Sequence, residues 1–143
     1  MRVQVTRERV IDWLGTPPGL LAAYGAILTV VGLWPVPVDR QLKALVAAIS
    51  KVVPVVTYPP VESLANVALF VPMGLLLALS LAPGLRYLVM PIGFVTSFFI
   101  EGCQGLALPA RTPSLYDIVA NTAGACLGLI LVAFAETRVR GES

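Results

Sequence analysis

Five polar residues whose side chains could do chemistry lie inside otherwise apolar sequence. Glu101 and Gln104 are three residues apart, Asp117 and Asn121 are four apart, and Arg111 lies between the two pairs. Residues three or four apart share one face of a helix, so each pair would present its polar groups together. Because polar groups are costly inside a bilayer, those in a membrane segment mark a candidate functional site. Paired carboxylates could act as a general acid and base, and an arginine could contact phosphate.

A second, shorter pattern ties this cluster to an earlier part of the chain. The sequence acid-x-x-Ala-Asn occurs at Glu62–Asn66 and again at Asp117–Asn121. Both copies are predicted to lie near the start of helices that run in the same direction, so their positive N-terminal ends would meet at one level. We therefore predict one polar pocket, open to the outside. A parallel repeat would also imply a pseudo-two-fold axis along the membrane normal.

The composition is that of a membrane protein, so membrane helices must position these polar residues. Of 143 residues, 57% are hydrophobic and 13% are charged, with a mean hydropathy of +0.87. Soluble domains carry about 25% charged residues. The chain has no histidine, which excludes Ser-His and Cys-His catalysis and histidine-ligated metals. The net charge of +2 comes from scattered basic residues and gives no indication of nucleic-acid binding.

The hydropathy pattern predicts an all-α integral membrane protein with a single domain over residues 1–143. It predicts a four-helix transmembrane bundle with spans at about 17–34, 61–81, 87–106 and 113–135. Two amphipathic stretches, at about 2–14 and 38–53, are predicted to be interfacial helices.

The distribution of basic residues predicts the orientation of this multi-pass protein in the cell membrane. Six arginines fall on the side of the termini and four basic residues on the other, namely Arg2, Arg7, Arg9, Arg86, Arg138 and Arg140 against Arg40, Lys43, Lys51 and Arg111. This excess favours cytoplasmic termini. It places the polar cluster at the extracytoplasmic end.

Structural roles are open for several of these residues. Asp117 would complete a helix-capping box with Ser114, and Glu62 could be a partner for a helix dipole. Asn66 and Asn121 could form interhelical hydrogen bonds, and the Gly124-x3-Gly128 spacing is typical of close helix packing. Glu101 is the hardest to explain structurally, because a helix C-terminus repels negative charge. We expect it to be protonated or paired with Arg111, and a purely structural clamp between the two is an alternative.

The full set of motifs resembles the VanZ-like membrane protein family, from about Ala65 to Leu131. The residues that carry the resemblance are Asn66, Phe70-Val71-Pro72-Met73-Gly74, Glu101-x2-Gln104, Arg111, Asp117-x3-Asn121-Thr122, Gly124 and Gly128. That family is named for an accessory protein of glycopeptide resistance clusters, associated with reduced susceptibility to teicoplanin. The resemblance implies a role at the outer leaflet, on cell-envelope lipids or lipid-linked precursors.

Three hypotheses follow from the residues and the resemblance. In the first, the pocket binds an anionic lipid head group, a lipid-linked envelope precursor or a lipoglycopeptide antibiotic, with no cofactor, through Arg111, Gln104, Asn121, Asn66 and Glu62. In the second, the protein is an enzyme that modifies a lipid head group, with Glu101 as general acid or base and Asp117 as a second carboxylate; a divalent cation could bridge these carboxylates to phosphate. In the third, the cluster only holds together a structural or partner protein.

Overall fold

The computed structural model describes residues 15–34, 47–51, 58–108 and 113–141, which are α-helical or lie in short connections. Helix α1 spans Pro17–Gly32, α2 spans Tyr58–Ser80, α3 spans Val89–Ala107 and α4 spans Leu115–Gly141. A 3-10 helix at Pro83–Leu88 leads directly into α3. The described residues contain no strand, as expected for an all-α membrane bundle.

Three of the helices are long and apolar enough to cross a membrane. The candidate spans are Val61–Ser80, Pro83–Ala107 and Leu115–Val139. Helix α1 is apolar but has 16 residues, a length of about 24 Å against a bilayer core of about 30 Å. Thr16 caps the start of α1, because its side-chain oxygen accepts a hydrogen bond from the backbone N–H of Gly19.

The α2 and α4 backbones touch at three glycines. A Cβ atom added to Gly124 would overlap the carbonyl oxygen of Val67, and one added to Gly128 would overlap that of Val71. From the other side, a Cβ on Gly74 would overlap the backbone of Ala125. Gly124 faces Val67, and four residues later in both helices Gly128 faces Val71, so α2 and α4 run parallel, as the repeat predicts. The packing role predicted for Gly124 and Gly128 is therefore confirmed, and the pseudo-two-fold axis stays a prediction.

Helix α3 runs antiparallel to α4 and packs on it through a small residue. A Cβ on Gly93 would lie 2.8 Å from the Cβ of Ala125. Helix α1 lies against α2 and α3, and the Tyr24 hydroxyl donates a 2.8 Å hydrogen bond to the carbonyl of Leu69 in α2. Within the described residues, the buried core draws on α1, α2, α3 and α4 and consists of Leu28, Phe70, Met73, Leu77, Ala78, Val89, Ala125 and Val132.

An ion pair closes one end of the bundle. Arg86, in the 3-10 helix, donates two hydrogen bonds to the carboxylate of Glu136 in α4, at 2.7 and 2.8 Å. Its Nε also donates to the carbonyl of Ala78 in α2, at 3.0 Å. Bidentate arginine–carboxylate pairs fix geometry as well as charge. The pair therefore joins α2, the 3-10 helix and α4 at the end opposite the predicted site.

Some of the sequence predictions lie outside the described residues. The interfacial helix at 2–14 is among them, as is Arg111. Of the second interfacial helix, at 38–53, the structure describes residues 47–51, of which 47–50 are helical.

The glycine contact between α2 and α4 predicts a position-dependent effect of one added methyl group. Gly128→Ala should destabilise the folded protein by about 1–3 kcal/mol, because the new Cβ would collide with backbone atoms of α2. Gly102→Ala is the matched control, since a Cβ at that position meets nothing within 4 Å. Thermal unfolding of both variants in detergent micelles measures the difference. Equal melting temperatures would contradict the proposed backbone contact.

Candidate functional site

The buried side of α3 changes from apolar to polar along its length. Its buried residues are Val89, Gly93, Ser97, Glu101 and Gln104, spaced four, four, four and three apart. Ser97 is fully buried, and Glu101 and Gln104 are 5% and 6% exposed. This spacing directs all five toward the other helices. The predicted site residues of α3 therefore lie inside one end of the bundle, which we call the polar end (Glu101, Gln104, Ser114 and Asn121).

Glu101 binds the start of the next helix. Its Oε2 accepts a 2.8 Å hydrogen bond from the backbone N–H of Ser114, the residue that precedes α4. The Ser114 hydroxyl accepts a 3.3 Å hydrogen bond from the backbone N–H of Asp117, which confirms this part of the predicted capping box. A carboxylate is stabilised at a helix N-terminus, where the macrodipole is positive. The hydrogen bond to the start of α4 therefore explains how α3 can hold Glu101 near its C-terminal end.

The arrangement also brings the two predicted carboxylate residues to one helix start. The Glu101 carboxylate accepts a hydrogen bond from the backbone N–H of Ser114, and the backbone N–H of Asp117, in the first turn of α4, donates one to the Ser114 hydroxyl. The helix ends can meet because Gly105 has no side chain; a Cβ there would overlap the ring of Pro113.

Gln104 binds the end of α1. Its amide Nε2 donates a 2.7 Å hydrogen bond to the carbonyl oxygen of Gly32, the last residue of that helix. The last four carbonyls of a helix have no partner inside it, and in a membrane each must find one. Gln104 supplies that partner. The absence of a side chain at Gly32 lets Ile100 pack closely beside this bond, 2.9 Å from where a Cβ would stand.

Asn121 lies one helical turn after Asp117 in α4, and the NH2 group of its side-chain amide forms a hydrogen bond. Its Nδ2 donates a 2.9 Å hydrogen bond to the hydroxyl oxygen of Ser97, so the predicted interhelical hydrogen bond is confirmed for Asn121. The residue is 5% exposed, and its buried Oδ1 has no hydrogen-bond partner in residues 15–34, 47–51, 58–108 and 113–141. Flipping the amide would pair Oδ1 with the serine hydroxyl but would leave Nδ2 alone. In either orientation, one buried polar group of Asn121 lacks a partner within the described part of the chain.

Of the remaining predicted site residues, the structure describes Glu62 and Asn66 but not Arg111. Glu62 and Asn66 are half-buried in the first turns of α2, and because α2 is parallel to α4, these turns lie toward the polar end. The position of Arg111, and with it the predicted Glu101–Arg111 pair, lies outside the described residues. Among the residues described, no three Asp, Glu, Cys or His side chains gather as metal ligands. The divalent cation stays a prediction.

Two members of the site were missed by the sequence reasoning. Ser97 lies four residues before Glu101 and seven before Gln104, so the same helical spacing that paired those two would have included it. The carbonyl of Gly32 carries no side-chain signal. Only the arrival of α1 beside α3 shows that Gln104 has a backbone partner.

The Gln104 bond predicts a loss of stability that depends on its position in the fold. Gln104→Met keeps the length of the side chain but leaves the Gly32 carbonyl without its donor, which should cost about 1–3 kcal/mol. Thr122→Val is the control: it removes a hydrogen bond from a hydroxyl to the carbonyl of Ile118 within the same helix, and should change stability by about 0.5 kcal/mol or less. Circular dichroism melts in micelles compare the two. A smaller loss at Gln104 than at Thr122 would show that the bond contributes little.

Comparison with known proteins identifies a family but no individual relative. No curated protein and no solved structure gives a significant match to the chain. A family model described as VanZ/LLP1 matches residues 21–136, which covers all four helices nearly completely and well over half of the sequence. The chain is therefore a VanZ-like membrane protein and belongs to the VanZ/LLP1 family.

Proposed function

We propose that this VanZ-like protein binds the head group of an anionic membrane lipid or lipid-linked envelope precursor at the polar end of its bundle. The observation that carries the proposal is the Oδ1 atom of Asn121, a buried acceptor with no hydrogen-bond partner among the residues that the structure describes. An unsatisfied buried polar atom costs about 1–3 kcal/mol. A bound molecule that donates a hydrogen bond to this atom would recover that free energy.

The chemistry of the polar end favours a head group that carries both donors and negative charge. Asn121 offers an acceptor, which suits a hydroxyl or ammonium group. The predicted contact from Arg111 suits a phosphate. Since Glu101 already accepts the Ser114 N–H, we assign the main phosphate contact to Arg111 rather than to that N–H.

The surroundings of the polar end favour a ligand that arrives through the membrane. The helices that form it expose large apolar side chains along their length, among them Phe94, Phe98 and Phe99 on α3. A lipid-linked envelope precursor and a lipoglycopeptide antibiotic each combine a long hydrocarbon chain with a polar head. Following the predicted orientation, we propose that the ligand is taken from the outer leaflet.

Native mass spectrometry tests this proposal with a matched pair of arginine variants. The protein would be released from nanodiscs that contain phosphatidylglycerol and phosphatidylcholine in equal amounts. We expect wild type to retain phosphatidylglycerol and Arg111→Ala to lose it. Arg138→Ala should retain it, because Arg138 lies at the opposite end of the bundle, where its guanidinium stacks 4.6 Å from the centre of the Phe134 ring.

Either of two results would contradict the proposal. One is the same lipid retention in wild type and Arg111→Ala. The other is an equal loss in Arg111→Ala and Arg138→Ala, which would indicate a general charge effect rather than a site.

A structural role is the second candidate, and a specific observation favours it. Glu101 and Gln104 bond to backbone groups at the ends of α4 and α1, so both hold helices together whether or not a ligand binds. This reading predicts that Glu101→Gln and Arg111→Ala lower the melting temperature in proportion to any loss of function. Variants that stay fully stable while lipid retention disappears would rule it out.

A further inference from the structure

An apolar groove lies between α1 and α3, with the buried side chain of Met73 from α2 in its lining. Its volume is about 300 Å³, and it is lined by Gly25, Leu28, Thr29, Leu33, Met73, Val95, Thr96, Phe99 and Ile100. The hydroxyl of Thr29 donates a 2.8 Å hydrogen bond to the carbonyl of Gly25, so it does not need a hydrogen-bond acceptor from a molecule in the groove. The groove thus presents an apolar surface beside α3, which belongs to a candidate membrane span.

The dimensions of the groove restrict what can fill it. From Gly25 to Leu33 the lining extends over about 12 Å of helix. A volume of about 300 Å³ over that length is well below the roughly 950 Å³ that a helix segment of the same length and about 10 Å diameter would fill. A helix with its side chains is about 10–12 Å across, which is too wide. A single polymethylene chain fits, since its carbon atoms pack at about 3.5–4.0 Å from their neighbours.

One end of the groove reaches the polar end of the bundle. Ile100 lines the groove and directly precedes Glu101; Leu33 lines it and directly follows Gly32, whose carbonyl accepts the Gln104 hydrogen bond. The rim residues Val95 and Phe99 are 62% and 68% exposed, so the groove is bordered by lipid-facing side chains. A hydrocarbon chain in the groove would therefore have its polar head within about one helical turn of Glu101 and Gln104.

We infer that the α1–α3 groove binds one acyl chain of the lipid whose head group occupies the polar end. This inference rests on the proposed function and adds to it the requirement for an acyl chain, held in a separate and apolar subsite. The position of the groove is consistent with this inference. Helix α1, which is too short to span the bilayer core, ends at Gly32 beside Gln104, so the groove along α1 leads to the polar end.

Gly25 allows the groove to be blocked without disturbing the fold. A Cβ at Gly25 meets nothing within 4 Å, so Gly25→Phe can place its ring in the groove. Gly102→Phe is the matched control, because a Cβ at Gly102 is equally unhindered and Gly102 does not line the groove. Both variants should melt close to wild type.

Photolabelling in nanodiscs then measures occupancy. The probe is phosphatidylglycerol with a diazirine in its acyl chain, and adducts on the buried groove residues Leu28 and Met73 are compared with adducts on the exposed residues Phe94 and Phe98. We expect Gly25→Phe to lower this ratio about tenfold and Gly102→Phe to leave it unchanged. An unchanged ratio in Gly25→Phe would overturn the inference. A new oligomeric state in Gly25→Phe would assign the groove to a second copy and would overturn it as well.

The outcome is separable from that of the head-group proposal. If Arg111→Ala abolishes lipid retention and Gly25→Phe leaves the adduct ratio unchanged, the head-group site stands and the groove fails. If Gly25→Phe lowers the ratio and Arg111→Ala retains its lipid, the acyl subsite stands and the head-group proposal fails.

Discussion

The backbone contact between α2 and α4 sets the geometry of the whole bundle. Glycines at 74, 124 and 128 let the two helices approach until carbonyl groups face the opposite backbone, which any side chain would prevent. Membrane helices gain little from hydrophobic burial against one another, so close packing of small residues supplies much of their association. Since α2 and α4 are parallel, their first turns lie at one level. Helix α3 then packs on α4 through Gly93, and this fixes the depth of Ser97 and Glu101.

A second constraint follows from the hydrocarbon surroundings, where backbone groups at helix ends must be bonded inside the protein. Glu101 and Gln104 meet this need for α4 and α1, so their polarity is explained in part without any ligand. Asn121 differs, because its bond to Ser97 leaves one amide group unused in a buried position. The case for a binding site therefore depends more on Asn121 than on the carboxylates that dominate the sequence pattern.

Hydropathy was sufficient to predict the apolar helices α1 to α4 and the parallel course of α2 and α4, and helical spacing was sufficient to predict the shared faces of Glu101 with Gln104 and of Asp117 with Asn121. These features depend on spacing along one helix, which a sequence displays directly. The bond from Gln104 to Gly32 and the pair Arg86–Glu136 join residues 72 and 50 positions apart, and only the packed fold reveals them. The predicted first span corresponds to a helix of 16 residues, because apolar composition alone does not show where a helix ends.

The most direct test of the account is the side-chain NMR signal of Asn121, because the chain contains only two asparagines. Protein labelled with ¹⁵N-asparagine would be placed in phosphatidylcholine nanodiscs and titrated with phosphatidylglycerol, with Asn66→Gln to assign the two amide signals. If the free amide group of Asn121 receives the lipid head group, its signal will move and saturate as the anionic lipid increases. A signal at the same position in both lipid compositions would contradict a head-group site at Asn121. The polar end would then have a structural role only, in which Glu101 and Gln104 form hydrogen bonds with backbone groups at helix ends.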